Sequence, residues 1–436
     1  MSLTHNESTA AARGWKAFAR RIQKEECGMT PQCHDPRWKA SDSGRGGLPP
    51  ASAPVRVLHA VDSLTQDSGA ARILLRYEEH LDRSRVVFDF LVSGETDPEI
   101  GRALTSKGAR IFTAPPLKAR SLAAYVVFVR QLLKEHGEYR IVHCHLPNAA
   151  LFCLGAARSA GVPVRIQHSH CAGSGGTVLK SLRNRLLFSL IPLCCNLRFA
   201  CSETAGTFLF GKRTDTNLWH VMHNALQPED YTPSPETRQS VRAELGVAPS
   251  AFVVGHLGRL SPEKNQTFLL KVFQAFHQSH PDSRLVIAGS GKLEQSLRRT
   301  ARELLPEEAV LWLGIRRDVP RLLQAMDILV MPSFFEGLPL AALEAQAAGV
   351  PCLLSDRISG EAAVAPGLVR FASLEQAPGE WARMIEETAP PHGDSRGAFR
   401  AAGYDVTLEA EKLMRAYELL YRDGPSAPGG KGDILK

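Results

Sequence analysis

The chain has 436 residues, of which 44% are hydrophobic and 22% are charged. This ordinary globular mixture excludes a mainly disordered chain, a collagen-like repeat and a small disulfide scaffold, and the length favours two or three domains. Lysine and arginine together number 52 and aspartate and glutamate 45, so the net charge is +7. Such a mild excess, spread along the chain, predicts no nucleic-acid partner, but it suits a phosphorylated ligand or an anionic lipid surface.

Cysteine usage and hydropathy predict the compartment. The nine cysteines are scattered and form no pair of CxxC units, which argues against a zinc site, and most lie in apolar runs typical of reduced core thiols. The first residues lack the apolar core of a secretory signal, and the longest strongly apolar stretch, residues 186–197, is shorter than the roughly 20 residues of a membrane span. We therefore expect a cytoplasmic protein, either soluble or peripheral on the inner face of the plasma membrane.

The central part of the chain alternates between strand-like and helix-like segments. Residues 1–53 carry Gly, Ser and Pro clusters and predict a flexible extension. From residue 54, the β-rich runs are VRVLHAV, VVFDFLV, ARIFTAP, YRIVHCH and VRIQHSH. After a break near PEDYTPSPET, they are FVVGHLG, SRLVIAG, AVLWLGI, DILVMPS and VPCLLSD. Alternating units of this kind predict parallel sheets with helices on both faces.

Two such sheets predict an α/β protein with two Rossmann-like, parallel-sheet domains that face each other across a central cleft. The expected boundaries are residues 54–228 for the first domain and 229–404 for the second. A strongly helical segment follows at residues 405–422, and residues 423–436 predict a flexible tail. Because ligands of such sheets bind at the carboxyl ends of the strands, the cleft is the predicted site.

A dinucleotide-dependent oxidoreductase is the first class to be tested against this pattern. It needs G-x-G-x-x-G directly after a strand, so that the backbone can approach a pyrophosphate. The first strand runs instead into VDSLTQDSGAAR, and Gly289-Ser290-Gly291 lacks the third glycine. The pattern therefore argues against this class.

Two cations follow the strand FVVGHLG. Arg259 and Lys264 lie five residues apart, and at the carboxyl end of a strand both can hold an anion such as a diphosphate. Two ordinary surface cations on a solvated loop explain the spacing equally well.

Two glutamates follow the strand DILVMPS. Glu336 lies in a Gly/Pro loop, and Glu344 comes eight residues later in a helix that is apolar almost all round. A buried carboxylate is unfavourable unless it is hydrogen-bonded; ribose hydroxyls are suitable partners, and the alternative is a core arginine or a backbone N–H. The N–H groups near Gly337 and Leu338, at the start of that helix, are free to bind phosphate or sugar oxygens.

The sequence resembles the retaining, nucleotide-sugar-dependent glycosyltransferases of family 4, which have the GT-B architecture, and especially their bacterial polysaccharide-assembly members. The resemblance covers residues 54–422. It rests on the order and spacing of HAVDSLTQDSGAAR, RIVHCH, VRIQHSH, FACSETAGTFLFG, VMHNALQPEDY, GHLGRLSPEKN, LVIAGSGKLEQSL, VLWLGIRRDV and FEGLPLAALE.

This resemblance implies roles in the second, donor domain. Arg259 and Lys264 would neutralise the donor diphosphate, Glu336 would lie beside the donor sugar hydroxyls, and Glu344 would hold the ribose. The remaining donor-binding positions that it implies in this domain are Gly258, Gly289, Gly291, Gly337 and Leu338. In the first domain, it places Gly69 in a loop that reaches the diphosphate from the opposite side.

In the first, acceptor domain, the resemblance implies that His168 or His170 lines the acceptor side near the donor sugar. His143 and His145 are expected to be core or supporting positions. The terminal helix would pack back across the domains.

The implied reaction is retaining transfer of a hexose from a UDP- or GDP-linked sugar to a hydroxyl of a glycan or lipid-linked saccharide, with no cofactor and no essential metal. The loop Ser68-Gly69-Ala70-Ala71-Arg72 departs from the usual Gly-Gly-Ala-Glu. That departure keeps open an inactive scaffold subunit that binds the nucleotide sugar. A sugar-nucleotide epimerase of the same fold is a further alternative.

The segment LKSLRNRLLFSLIPL combines Lys180, Arg183 and Arg185 with leucines and phenylalanine. It predicts either peripheral contact with an anionic membrane or a core helix with a cationic outer face.

Overall fold

Two parallel β-sheets make up the framework of this computed structural model. The structure describes residues 53–426 apart from 67, 171–172, 174–177, 215–217 and 389–392, together with residue 435. Almost all of the predicted N-terminal extension and most of the predicted tail lie outside the described residues.

The first sheet has the strand order β3-β2-β1-β4-β5-β6-β7, with every pairing parallel. Its strands are β1 (Val55–Val61), β2 (Val86–Val92), β3 (Ile111–Thr113), β4 (Ile141–Cys144), β5 (Val164–Ser169), β6 (Leu197–Ala200) and β7 (His220–Val221).

The second sheet has the order β10-β9-β8-β11-β12-β13 and is also parallel throughout. Its strands are β8 (Val253–Leu257), β9 (Arg284–Ala288), β10 (Val310–Gly314), β11 (Ile328–Met331), β12 (Cys352–Ser355) and β13 (Val369–Ala372). The two parallel sheets confirm the predicted α/β class.

Helices connect the strands. In chain order they are α1 (Gly69–Glu79), α2 (Pro98–Ser106), α3 (Leu122–Glu135), α4 (Ala150–Ser159), α5 (Val178–Leu190), α6 (Glu203–Phe210), α7 (Pro235–Glu244), α8 (Gln266–Ser279), α9 (Glu294–Leu304), α10 (Val319–Leu323), α11 (Leu340–Ala347), α12 (Pro378–Glu386), α13 (Arg396–Ala401) and α14 (Val406–Asp423).

The apolar runs of the sequence became strands because both faces of a parallel sheet are covered by helices. All seven residues of β2 are buried, and the one carboxylate in this run, Asp89, is held by Arg56 at 2.6 Å and by the Tyr139 hydroxyl at 2.8 Å. Strands β6, β7 and β13 were missing from the predicted set. Strand β7 has only two residues, and an arginine interrupts each of the four-residue strands β6 and β13, so none of the three shows a continuous apolar run.

Strand order reverses between β1 and β4 in the first sheet and between β8 and β11 in the second. In each sheet, the first strand pairs on one side with its successor and on the other with a strand that comes much later in the chain. Ligands of open α/β sheets bind in the crevice at such a reversal, outside the carboxyl ends of the strands. The two reversals therefore locate the candidate site.

The terminal helix α14 follows the second sheet in the chain but packs on the first. Its Leu413 and Tyr417 share a buried cluster with Val57 and Phe88. Arg85, just before β2, donates to Glu411 at 2.7 Å and to Glu418 at 2.8 Å. This helix therefore ties the end of the chain to the N-terminal sheet.

A carboxylate from the second half also caps a helix of the first. Glu361 accepts from the backbone N–H groups of Glu203, at 2.6 Å, and Thr204, at 2.8 Å, which open α6. Burial would raise the pKa of the Glu361 carboxyl, but these bonds and those from the Thr204 and Ser359 hydroxyls hold it below its usual range. The contact completes the start of α6 and links the two halves.

The described cysteines agree with the predicted core thiols. Six of them are buried and free of disulfide bonds: Cys144, Cys153, Cys194, Cys195, Cys201 and Cys352. No helix in the described part of the chain has the length and apolar character needed to cross a membrane.

Candidate active site

Lys264 and Glu336 meet at the carboxyl ends of β8 and β11. The backbone N–H of Phe334 donates to the carbonyl of Glu263 at 2.9 Å, which joins the two loops. Lys264 Nζ then donates to Glu336 Oε1 at 2.6 Å. The two side chains retain 17% and 12% exposure, so the pair is largely desolvated yet open to a ligand. The structure thus brings together two residues that the sequence predicted for one site.

Arg259 lies two residues beyond the end of β8, and its side chain is exposed. Its carbonyl accepts from Gln266 Nε2 at 2.8 Å, so the start of α8 holds the backbone of this loop. Gly258 has φ +155°, and a Cβ there would lie 3.6 Å from Lys264 Cε. The lysine side chain therefore passes over a glycine, with its charge at the strand end.

Gly289 and Gly291 have a packing reason to be glycines. A Cβ at Gly289 would lie 2.0 Å from the carbonyl oxygen of Gly258, and one at Gly291 would lie 2.2 Å from that of Leu260. Leu260 N donates to Ser290 O at 2.8 Å in the same contact. The loops after β8 and β9 can approach this closely only without side chains. Contact of these glycines with a nucleotide stays a prediction.

The loop that precedes α11 is held by the first half of the chain. Asn224 Nδ2 donates to the Leu338 carbonyl at 3.2 Å, and Ser202 Oγ donates to the Gly337 carbonyl at 3.4 Å. Pro339 precedes the helix, and none of the described side chains caps it. The carbonyls are therefore engaged by protein, and sugar or phosphate binding by the N–H groups stays a prediction.

Glu344 lies in the middle of α11 and is 1% exposed. Its Oε1 accepts from Arg72 and Arg76, both on α1 of the first half, and from the Tyr231 hydroxyl at 3.2 Å. The structure therefore shows the arginine pairing that the sequence left open, although the arginines come from the opposite half of the chain. A ribose hydroxyl at this carboxylate, which stays a prediction, would have to share or replace these partners.

The electrostatics of this cluster favour the ionised carboxylate. Burial alone would raise the pKa of Glu344, but the charges of Arg72 and Arg76, with hydrogen bonds from Arg76 and Tyr231, hold that pKa below its usual range. The cluster is therefore a buried ion pair between the two halves at neutral pH.

The altered segment Ser68-Gly69-Ala70-Ala71-Arg72 is the start of α1 and not a loop, because Ser68 is the N-cap and Gly69 is the first helical residue. Ser68 adopts an ordinary extended conformation, φ −82° and ψ 111°, and its hydroxyl accepts from Ala71 N at 3.4 Å, which caps the helix. A Cβ at Gly69 would meet no atom of the described residues within 4 Å. Serine here adds a helix cap, and the neighbouring Arg72 joins the Glu344 cluster.

Five histidines gather on one face of the first sheet, at the ends of β1, β4 and β5. They are His59, His143, His145, His168 and His170. They form two hydrogen-bonded rows, in which polar atoms of neighbouring side chains lie 2.7 to 3.1 Å apart. One row is Tyr417–His143–His168 and the other is His59–His145–His170.

Burial decides how these imidazoles differ. His168 is fully buried, whereas His170, just beyond β5, is half-buried, so His170 is the residue with surface at the cleft. Burial lowers the pKa of His59 to about 3 and that of His170 to about 4. Burial, reinforced by neighbouring imidazoles, also holds the pKa of His143 well below its usual range. His143 and His145 are buried, as expected for core or supporting positions.

Sequence reasoning missed several residues of this region. Arg76, Tyr231, His59 and Tyr417 each contact a predicted site residue or its neighbour. The spacing of apolar residues in α1 and α14 could have shown which face of each helix is buried. No local pattern marks Tyr231, which lies between β7 and α7.

Two family models match the chain. One, described as "Glycosyl transferase 4-like domain", matches residues 68–193, and the other, described as "Glycosyl transferases group 1", matches residues 237–386. The first range contains Arg76 and His170, and the second contains Lys264, Glu336 and Glu344. Both halves of the candidate site thus lie in matched segments.

Two of the relatives that the chain resembles are also glycosyltransferases by name. The chain is 32% identical over 375 residues to the putative glycosyltransferase EpsF of Bacillus subtilis strain 168, a match that covers 84% of this chain and 97% of that one. It is 30% identical over 239 residues to a UDP-Gal:alpha-D-GlcNAc-diphosphoundecaprenol alpha-1,3-galactosyltransferase of Escherichia coli, over 53% of this chain and 61% of that one.

The structure of Anabaena HepE in complex with UDP-glucose matches with a TM-score of 0.68 and 22% identity, over 82% of this chain and 98% of that one. This likeness shows a shared fold, and the EpsF match extends over nearly the whole relative. The chain therefore belongs to the glycosyltransferases of the family 4 type, and its two facing parallel sheets have the GT-B architecture.

Proposed function

We propose that this glycosyltransferase moves a hexose, with retention, from a nucleoside diphosphate sugar to a hydroxyl of a glycan or lipid-linked saccharide in polysaccharide biosynthesis. The observation that carries the proposal is the Lys264–Glu336 pair at the strand reversal of the second sheet. It combines a cation suited to a diphosphate with a carboxylate suited to sugar hydroxyls, in the crevice where such folds bind ligands.

In this mechanism, Lys264 and Arg259 stabilise the negative charge that builds on the departing diphosphate. Such charges, positioned before the reaction, lower the barrier because they need no reorganisation as the bond breaks. Glu336 accepts hydrogen bonds from donor sugar hydroxyls and so orients the anomeric carbon. The two cations supply the charge that a metal supplies elsewhere, so transfer needs no essential metal. The departing diphosphate assists deprotonation of the acceptor, without a covalent glycosyl intermediate.

The names of the similar proteins support the choice of substrates. The Escherichia coli relative is named for UDP-Gal as donor and a diphosphoundecaprenol-linked acceptor, and HepE was crystallised with UDP-glucose. A UDP-sugar is therefore the first donor to test, and a GDP-sugar the second. The relatives are named as transferases, which does not favour the scaffold or the epimerase.

Donor binding is tested by thermal shift and hydrolysis, with EDTA present, on a panel of UDP-, GDP- and ADP-sugars. One donor is expected to raise the melting temperature, because a ligand at about 100 times its Kd stabilises the native state by about 2.7 kcal/mol. The same donor should be hydrolysed slowly without metal. Glu336→Gln is expected to weaken both effects.

Other results would contradict the proposal. A donor that binds but is never consumed, even with membrane extract added, indicates a scaffold. A changed sugar nucleotide formed without acceptor indicates an epimerase.

Peripheral membrane contact is part of the proposal. Leu186 and Leu193 are 65% and 60% exposed. Leu186 lies on α5, as does the exposed Arg183, and Leu193 lies in the turn that follows this helix. The side chains of Lys180 and Arg185 lie outside the described residues. Exposed leucines beside a cation suit the surface of an anionic bilayer on the cytoplasmic side.

Vesicle flotation tests this contact. The protein is expected to float with anionic phospholipid vesicles and much less with neutral ones, and Leu186→Asp with Leu193→Asp should abolish flotation. Leu408→Asp, a change at a leucine that is 52% exposed on α14, serves as the control. If the Leu186/Leu193 double variant floated as well as the Leu408→Asp control, the proposed membrane-contact surface would be refuted.

A further inference from the structure

The five-histidine cluster contains buried nitrogens that the proposed transfer does not use. Among the residues that the structure describes, His168 Nε2 and His59 Nε2 have no hydrogen-bond partner, although both side chains are 0% exposed. A buried polar atom without a partner is unfavourable, and in native proteins it calls for a physical explanation. A bound ion would provide one for His168 Nε2.

We propose that His145, His168 and His170 form a binding site for a Zn²⁺-class transition-metal ion. One nitrogen from each of these residues lies within 4.8 Å of the others. Neutral imidazoles are preferred ligands of Zn²⁺, and three of them leave a fourth position for water or another ligand. Because His170 is half-buried at the end of β5, the ion has a route from the cleft.

The hydrogen bonds select this triad over the alternative set of His59, His143 and His145. Both nitrogens of His143 are already engaged, by the Tyr417 hydroxyl at 2.7 Å and by His168 Nδ1 at 3.1 Å. His168, in contrast, has its Nε2 free among the described residues. The alternative set would need a nitrogen of His143, and both are engaged. The proposed set uses the unpartnered His168 Nε2 and gives up one hydrogen bond, the one between His145 Nδ1 and His170 Nε2.

The remaining contacts supply outer support of the kind that metal-bound histidines need. With His168 Nε2 on the ion, His168 Nδ1–H donates to His143 Nε2, and His143 Nδ1–H donates to the Tyr417 oxygen. With His145 Nδ1 on the ion, His145 Nε2–H donates to His59 Nδ1, at the observed 3.0 Å. Such partners fix the tautomer and the ring orientation of the ligands. His59 and His143 are thus positioning residues of the proposed site.

Ion binding requires a limited rearrangement. Ligands of a tetrahedral Zn²⁺ are roughly 3.4 Å apart, closer than the 4.8 Å limit within which these nitrogens lie. The His168 and His170 rings are stacked, with 4.1 Å between centroids, so the His170 side chain must rotate to direct Nε2 at the ion. The proton between His145 Nδ1 and His170 Nε2 moves to His170 Nδ1, and no proton is released.

The test uses the full chain without an oligohistidine tag, stripped with EDTA and desalted. Titration with Co²⁺, followed by its visible absorption, and with Zn²⁺, followed by calorimetry, is expected to show one equivalent per chain. His168→Gln and His170→Gln should each weaken binding about tenfold or more, and His143→Gln about 10- to 100-fold. His256→Gln is the matched control, because His256 is equally buried but lies in the second sheet; it should bind like the wild type.

Two outcomes would overturn the site. One is the absence of a saturable equivalent in the wild type, and the other is wild-type affinity in folded His168→Gln and His170→Gln. Circular dichroism checks that each variant is folded, and the half-buried position of His170 makes His170→Gln the milder change. Since the proposed transfer is metal-independent, donor hydrolysis in EDTA tests that function separately from ion binding.

Discussion

Lys264→Ala is expected to lower kcat/KM for donor hydrolysis and transfer about 100- to 1,000-fold, the usual effect of removing one preorganised group that stabilises transition-state charge. The structure supports this size, because Lys264 Nζ is largely desolvated beside Glu336 at the strand end. Since charge on the diphosphate grows as the bond breaks, kcat should fall more than KM rises. Steady-state kinetics with the donor identified by thermal shift measures both.

Two variants control this experiment. Lys271→Ala removes an exposed lysine from the adjacent helix α8 and should leave kcat/KM unchanged. Lys264→Arg keeps the charge and should recover part of the rate, although the planar guanidinium group differs in shape from an ammonium group. A kcat for Lys264→Ala within twofold of the wild type would remove this lysine from the mechanism.

The double variant Arg72→Ala with Arg76→Ala is expected to lower the free energy of unfolding by about 3–5 kcal/mol, the usual result of leaving one partner of a buried ion pair uncompensated. Glu344 is 1% exposed, so its carboxylate would lose both charged partners and, among the described side chains, keep the Tyr231 hydroxyl. Urea denaturation at neutral pH, followed by circular dichroism, measures the change.

Adding Glu344→Gln to this double variant should restore part of the lost stability, because the uncompensated charge is then gone. Arg298→Ala breaks a half-exposed pair with Glu294 on α9 and should cost only about 0–1 kcal/mol. If the buried pair and the half-exposed pair lost the same free energy of unfolding, the expected effect of burial would be contradicted.

Acid gives an independent measure of the same cluster. The pKa of Glu344 is lower in the folded chain than its ordinary value, so the unfolded chain binds the proton more readily. The stability from this group is therefore complete above about pH 4.3, the ordinary value for glutamate, and is lost as the pH falls through the lower folded-state pKa. In a Glu344→Gln variant, this part of the acid dependence should be missing.

The sequence by itself determined the fold class and one half of the site. The predicted runs VRVLHAV and VVFDFLV coincide with β1 and β2, because strands that are buried on both faces are short, nearly continuous apolar segments. Lys264 and Glu336 were predicted from their positions after β8 and β11, and parallel topology brings such strand ends to one edge. The edge strands β7 and β13, and β6 beside β7, were missed, because β7 has only two residues and an arginine interrupts the four-residue apolar runs of β6 and β13.

Only the tertiary structure decided how the two halves meet. Glu344 contacts Arg76, which is 268 residues away in the sequence, and Tyr231, which is 113 residues away. Its arginine partners therefore come from the opposite half of the chain. Its role in binding the ribose stays a prediction. The histidine rows likewise join three strands and the terminal helix. Local patterns predict which residues become buried, but they do not record which distant residue each one meets, because that depends on the packing of whole domains.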